Sequence, residues 1–292
     1  MSFITKVILV TGGNKGIGYA IVRNLALSYA NLSSSQPLTI LLTARNPTLG
    51  QNSTDQLHEE LKPKNILTDD GGNIDLKFLR LDITDEQSIK DAKMVIEKDY
   101  GEEYLKNLYK LSAVLASIFR LIHITFKGDA FDVNVVRKTF ATNFYGTLNL
   151  INHFYPLIRP NGRIVNVSSS VGHIVSKALG QEFSKEDLDM DGLIELMKRF
   201  EVAVEKDTYK QEGWPRQAYA VSKLGLMTMT KILARRADKE GNNIKVFSCS
   251  PGWVKTDMNG ERAPLTPDQG AKIPVLLALD ENIVIQNPNG SF

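Results

Sequence analysis

In the stretch "AYAVSK", Tyr219 and Lys223 stand four residues apart, on one face if the segment is helical. A phenol with a pKa near ~10 is a poor acid–base group at neutral pH until a nearby ammonium stabilises its phenolate, and a lysine one helical turn away can do that. The spacing also arises by chance, so alone it identifies no chemistry. It gains weight from "NVSS", which ends an apolar run and places the Ser169 hydroxyl near the carboxyl ends of sheet strands, where open α/β folds bind ligands.

A second constellation lies near the start, where "VTGGNKGIGYAIV" sets Gly12, Gly16 and Gly18 at gaps of four and two. The spacing does not supply G-x-G-x-x-G. A turn from a buried strand into a helix nevertheless offers free backbone N–H groups and the positive end of the helix dipole, a site for a pyrophosphate. Such turns also serve as simple connections. Two cations sharpen the reading: Lys15 sits inside the turn, and Arg45 ends the next strand, where a fold preferring NAD usually carries an acidic residue for the ribose 2′-hydroxyl. They favour a 2′-phosphate and hence NADP(H), although Arg45 also reads as a solvated charge at a strand end.

The elements that must position these residues alternate. "KVILV" and the helical spacing of "GIGYAIVRNLALSYA" give strand, tight turn and helix; "LTILLTAR" (38–45), "DLKFLRLD" (75–82), "GRIVNVSS" (162–169) and "NIKVFSCSPGW" (243–253) supply further strands, with helical stretches between. The fold class this predicts is α/β, a doubly wound parallel sheet in one domain over residues 1–292. Two segments interrupt the alternation. A helical insertion spans about 171–215, ahead of Tyr219. Over residues 105–126, Leu108, Leu111, Leu115, Ile118 and Ile122 recur at steps of three and four, which predicts an amphipathic helix where a fourth strand is needed, leaving "LIHITF" (121–126) as the substitute strand.

Composition narrows the function. The chain has 292 residues, 42% hydrophobic and 23% charged, with a formal charge of +2, so no broad basic face for nucleic acid or anionic lipid is implied. Cys249 is the only cysteine, which excludes an intrachain disulfide and fits a reducing, cytoplasmic setting. No run is apolar and long enough for a membrane span. The four histidines, His58, His123, His153 and His173, show no ligand spacing, and "SKEDLDMD" lacks the register of a calcium loop, so no metal is expected.

Taken in order, "TGGNKGIG", "LTAR", "LDI", "TNFYGT", "GRIVNVSS", "YAVSK" and "SPGWVKTDM" resemble the short-chain dehydrogenase/reductase family, and with "EGWP" its NADPH-dependent carbonyl-reducing branch. The resemblance runs from about residue 5 through most of the chain. It implies that Tyr219 protonates a substrate carbonyl oxygen and that Lys223 lowers its pKa and binds the nicotinamide ribose. It further implies that Ser169 polarises the carbonyl and that Asn143 holds a water in the proton relay. The cofactor turn would comprise Gly12, Asn14, Lys15, Gly16, Ile17 and Gly18; Asp82 and Ile83 would border the adenine; Pro251, Gly252, Val254 and Thr256 would line the nicotinamide end. Trp253 reads equally as the wall of an apolar substrate pocket and as simple packing. The insertion resembles one that covers the helix face used for oligomer contacts, so a monomer acting on a small carbonyl substrate is expected.

One family feature is missing. The N-N-A-G that follows the fourth strand in relatives has no counterpart in "KNLYKLSAVLASIFRLIHI". This motivates a rival reading, an NADP-binding protein with impaired or no catalysis; a third is an alcohol dehydrogenase using NAD.

Overall fold

Alternation along the first strand, β1 (Lys6–Val10), builds two cores at once. Val7 and Leu9 face one side of the sheet, Ile8 and Val10 the other, as expected where a parallel sheet is covered on both faces. The computed structural model describes residues 6–32, 36–100, the backbone of 111–114, 131–173, 175–280, 282 and 286–292. Within them β1, β2 (Leu38–Ala44), β3 (Ile74–Arg80), β4 (Leu111–Val114), β5 (Arg163–Val167) and β6 (Lys245–Cys249) form one parallel sheet in the order β3-β2-β1-β4-β5-β6. The direction of winding reverses between β1 and β4, so the carboxyl ends there open a crevice.

Helices α1 (Gly16–Ala30), α2 (Pro47–Leu61) and α9 (Pro267–Leu279) close the core of Ile8 and Val10. The opposite core, around Val7 and Leu9, is closed by α3 (Glu86–Tyr100), α4 (Val133–Phe140), α5 (Thr147–Phe154) and α8 (Ala218–Glu240). The doubly wound α/β architecture read from the alternation is therefore the one observed.

The fourth strand is a correction. β4 pairs Val7 with Leu111 and Val10 with Val114, and Ala113 with Ile164 of β5, so "LSAV" fills the slot assigned to "LIHITF", and it does so inside the stretch read as a helix. Within a long apolar stretch of sequence a three-and-four stripe does not by itself distinguish helix from strand. Residues 121–126 lie outside the described residues.

The insertion folds as α6 (Lys177–Phe183) and α7 (Met190–Glu205). Asp189 caps α7 by accepting from the Gly192 N–H at 2.8 Å. Trp214 of "EGWP" anchors it: its ring meets Phe183 at 6.0 Å and Phe200 at 5.2 Å, and Arg199 lies 5.2 Å over it while forking onto Glu182 at 2.7 and 2.9 Å. With α7 and α4 against it, α8 is buried at every position from Ala220 to Thr230, the polar Ser222, Lys223, Thr228 and Thr230 included.

The outer edge of β6 is covered as well. The Asn289 side chain accepts from the Val246 N–H at 2.7 Å and donates to the Ile244 carbonyl at 3.2 Å. Gly290 N then donates to Val246 O, and Ser248 N to Ser291 O, both at 2.9 Å. Residues 289–291 thus run beside β6 in the same direction.

Candidate active site

Ser169 stands two residues beyond the end of β5, and Tyr219 lies in the first turn of α8, which packs against that strand end. Burial raises the Tyr219 pKa, with the Ser169 side chain beside the phenol acting against it. Lys223, one turn along, is 2% exposed and donates from Nζ to the Val167 carbonyl at 2.9 Å. Burial brings its pKa down to about 7, opposed by the neighbouring Cys249 thiol; the same burial pushes Cys249 up to about 12. The three residues singled out for acid–base work therefore meet in space. The direction of the tyrosine shift differs from expectation: Nζ stands over the ring, 5.5 Å from its centroid, and burial of the phenol sets the sign.

Asn143 enters from a π-helical turn, Ala141–Gly146, between α4 and α5. Such turns release backbone groups from the regular ladder and recur at functional sites. Its amide donates to Ser222 Oγ at 2.8 Å, and Ser222 Oγ donates to the Tyr219 carbonyl at 2.7 Å. The turn can approach so closely because residue 146 is glycine: a Cβ there would lie 2.8 Å from both the Ala141 and Ile83 carbonyl oxygens. The same contact places Ile83 beside the π turn. Asp82 is held by its own turn, its carboxylate accepting from Thr84 N at 2.9 Å and Thr84 Oγ1 at 2.7 Å.

Across the crevice, the glycine turn joins β1 to α1. Gly12 and Gly16 have φ of 63° and 55°, which favour glycine, and Gly13 packs where a Cβ would meet Leu42 Cγ at 2.8 Å. The Asn14 carbonyl accepts from Ser53 Oγ at 2.8 Å. Lys15 is the N-cap of α1 and provides no side-chain cap, so the N–H groups at the start of the helix, through Ile17 and Gly18, are available to an anion. Arg45 follows β2 directly and is exposed.

The loop after β6 closes over this turn. Thr256 Cγ2 lies 3.3 Å from where a Gly16 Cβ would be, and Lys15 forms an ion pair with Asp257. Val254 is buried and bridges to Leu265, while Gly252, at φ 80°, leaves room that the Leu265 side chain occupies. Pro251 leads into this loop, and Trp253 points outward at 56% exposure. The bare helix start, the glycine geometry and the two cations fit a phosphorylated dinucleotide.

Four participants were not legible in the sequence. The Val167 carbonyl and the Ser222 hydroxyl are generic groups with no motif of their own. The π turn has no periodicity signal, and the partnership of Asp257 with Lys15 spans 242 residues. Among the described residues no group of three or more His, Cys, Asp or Glu is placed to hold a metal.

The short chain dehydrogenase model matches residues 6–181. Carbonyl reductase (NADPH) 1 of Sus scrofa is 37% identical over 299 residues, covering 100% of this chain and 93% of the relative; the Homo sapiens protein of that name is 36% identical over 301 residues, covering 100% and 97%. Among solved structures, salutaridine reductase from Papaver somniferum superposes with a TM-score of 0.76 at 22% identity, covering 99% of each chain. NADPH-bound carbonyl reductase from chicken fatty liver superposes with a TM-score of 0.60 at 22% identity, covering 95% of this chain and 92% of that one. At such identities the two superpositions establish a common fold.

Proposed function

Because the chain belongs to the short-chain dehydrogenase family, we propose that it is an NADPH-dependent reductase that transfers hydride to the carbonyl carbon of a ketone, aldehyde or quinone, with Tyr219 as proton donor. The observation that carries this reading is the meeting of Ser169, two residues beyond β5, with Tyr219 in the first turn of α8 and Lys223 one turn along that helix. Two hydroxyls there can converge on one oxygen. As that oxygen gains negative charge, donors aimed at it stabilise the transition state more than the ground state. The raised pKa keeps the Tyr219 phenol protonated at neutral pH, the state in which it can give a proton.

The bound cofactor supplies the hydride. Its pyrophosphate would lie on the Gly12–Gly18 turn, its 2′-phosphate by Lys15 and Arg45, its adenine by Asp82 and Ile83, and its nicotinamide end by Pro251, Gly252, Val254 and Thr256. Lys223 would bind the ribose there, and Asn143 braces the first turn of α8 through Ser222. Arg45 at the end of β2 supports NADP(H) over NAD. Cover of α8 by α7 supports a monomer, and the lone cysteine supports a cytoplasmic setting. No described helix is long and apolar enough to cross a membrane.

NADPH oxidation by the purified protein with menadione tests the reading; turnover above the protein-free rate is expected. One observation favours the rival reading of cofactor binding without useful catalysis. With β4 ending at Val114, the next four residues are Leu115, Ala116, Ser117 and Ile118, where the family resemblance implies N-N-A-G. NADPH binding without oxidation across a panel of ketones, aldehydes and quinones, cured by introducing N-N-A-G at 115–118, establishes that rival.

A further inference from the structure

Trp253 and Phe292, at 56% and 45%, are the exposed members of the phenylalanines, tyrosines and tryptophans among the described residues. Large apolar rings left in water are uncommon, and when they share a place in the fold they point to a ligand. These two share one. Trp253 lies four residues beyond the end of β6. Ser291 accepts from Ser248 N at 2.9 Å, so Phe292 comes level with the carboxyl end of that same strand. The Ser168 N–H donates to the Cys249 carbonyl at 2.7 Å, tying this corner of the sheet to the residue preceding Ser169.

Phe292 is also held. Its ring meets that of His173 edge-on, with centroids 5.5 Å apart and planes at 74°. His173 closes the short helical turn, Ser170–His173, that follows Ser169, and the Gly172 N–H donates to the Ser169 carbonyl at 3.0 Å. That turn is pressed onto α8: a Cβ at Gly172 would lie 2.9 Å from Leu224 N and 2.7 Å from Met227 Cε. One connection therefore runs from Ser169 through the turn that ends at His173 to Phe292.

We propose that Phe292, steadied by His173, is a specificity-determining residue that forms with Trp253 an aromatic rim beside Ser169 and Tyr219 and selects flat, ring-bearing carbonyl substrates over small aliphatic ones. The proposal rests on the carbonyl-reductase reading above. A planar ring laid on this rim covers apolar surface that is otherwise wet, and a small dicarbonyl does not reach it.

The test compares menadione with diacetyl in steady-state kinetics on wild type, Phe292→Ala, Phe292→Tyr and His173→Ala, with NADPH affinity and melting temperature measured for each. Phe292→Ala is expected to raise KM for menadione about three- to tenfold with kcat within about twofold, to leave the diacetyl KM and NADPH affinity unchanged, and to be rescued by Phe292→Tyr. His173→Ala should give a smaller shift in the same direction. Equal shifts for both substrates, or none in a folded Phe292→Ala protein, overturn the proposal while the reductase reading stands. A wild type that binds NADPH and reduces neither substrate overturns both.

Discussion

Lys223 and Tyr219 share a face of α8 without meeting head to head: the ammonium lies 5.5 Å from the ring centroid and gives its hydrogen bond to the Val167 carbonyl at 2.9 Å. The lysine is thereby tied to β5, and the Ser169 side chain stands beside the phenol. The lysine's bond is thus made away from the phenol, and the contributions of Tyr219 and Lys223 can be separated by substitution.

Tyr219→Phe removes the proton donor and little packing volume. Carbonyl-dependent NADPH oxidation should fall at least ~100-fold, the usual scale of general acid catalysis, with NADPH affinity largely kept. Retention of more than about a tenth of the rate would remove Tyr219 from the role of acid.

The buried lysine makes stability depend on pH with a definite sign. Its folded pKa of about 7 lies below the ordinary value of 10.5, so between them the unfolded chain binds the extra proton and stability rises with pH. Cys249 and Tyr219, both shifted upward from 9.0 and 10.0, act oppositely, but only above about pH 9. Melting temperature of the cofactor-free protein should therefore climb from pH 7 to 9, and Lys223→Met should flatten that climb. An equal climb in the variant assigns the effect to another group.

Cofactor choice should follow the cations at the turn. Charge-assisted contacts to a 2′-phosphate correspond to roughly ten- to a hundredfold in affinity, so titration should show NADPH binding tighter than NADH by about that ratio, and Arg45→Asp should collapse it. Lys15 already has a carboxylate partner in Asp257, exposed and hence weak. Asp257→Asn should consequently improve NADPH binding modestly, by no more than about fivefold. Equal affinities in wild type would show that these residues do not read the phosphate.

Trp214 is 3% exposed and joins α6, α7 and the approach to Tyr219. Trp214→Ala should cost about 3–5 kcal/mol in urea unfolding, as truncation of a buried large aromatic side chain does. Light scattering should return the 32.5 kDa mass of one chain for wild type. A wild-type dimer would mean that α7 leaves an association face open.

Much of the fold was legible because its signals are local. β1, β2, β3, β5 and β6 announce themselves as short apolar runs bounded by polar or glycine-rich turns, and the glycines at 12 and 16 mark positive φ directly. Tyr219, Lys223 and Ser169 were identifiable because a helical turn and a strand end fix their placement. β4 was not, since Leu111–Val114 sits within a longer apolar stretch whose periodicity favours the wrong element. The sign of the tyrosine shift also escaped, because it depends on enclosure by α8, β5 and the π turn, which is a property of packing and not of spacing. Lys15 illustrates a third kind of limit: its position was clear, but its partner Asp257 comes from the other end of the chain.

The Asn289 side chain and the backbone of 290–291 occupy β6 donors and acceptors that would otherwise face outward. A bare parallel edge of sequence "KVFSC", rich in strand-forming residues, is a template for another molecule's strand. Asn289 thus acts as a guard against aggregation. Its loss should show first as self-association and fibrillar deposits on storage, before any change at the Ser169–Tyr219 pair, because what fails is solubility of the folded state and not its chemistry.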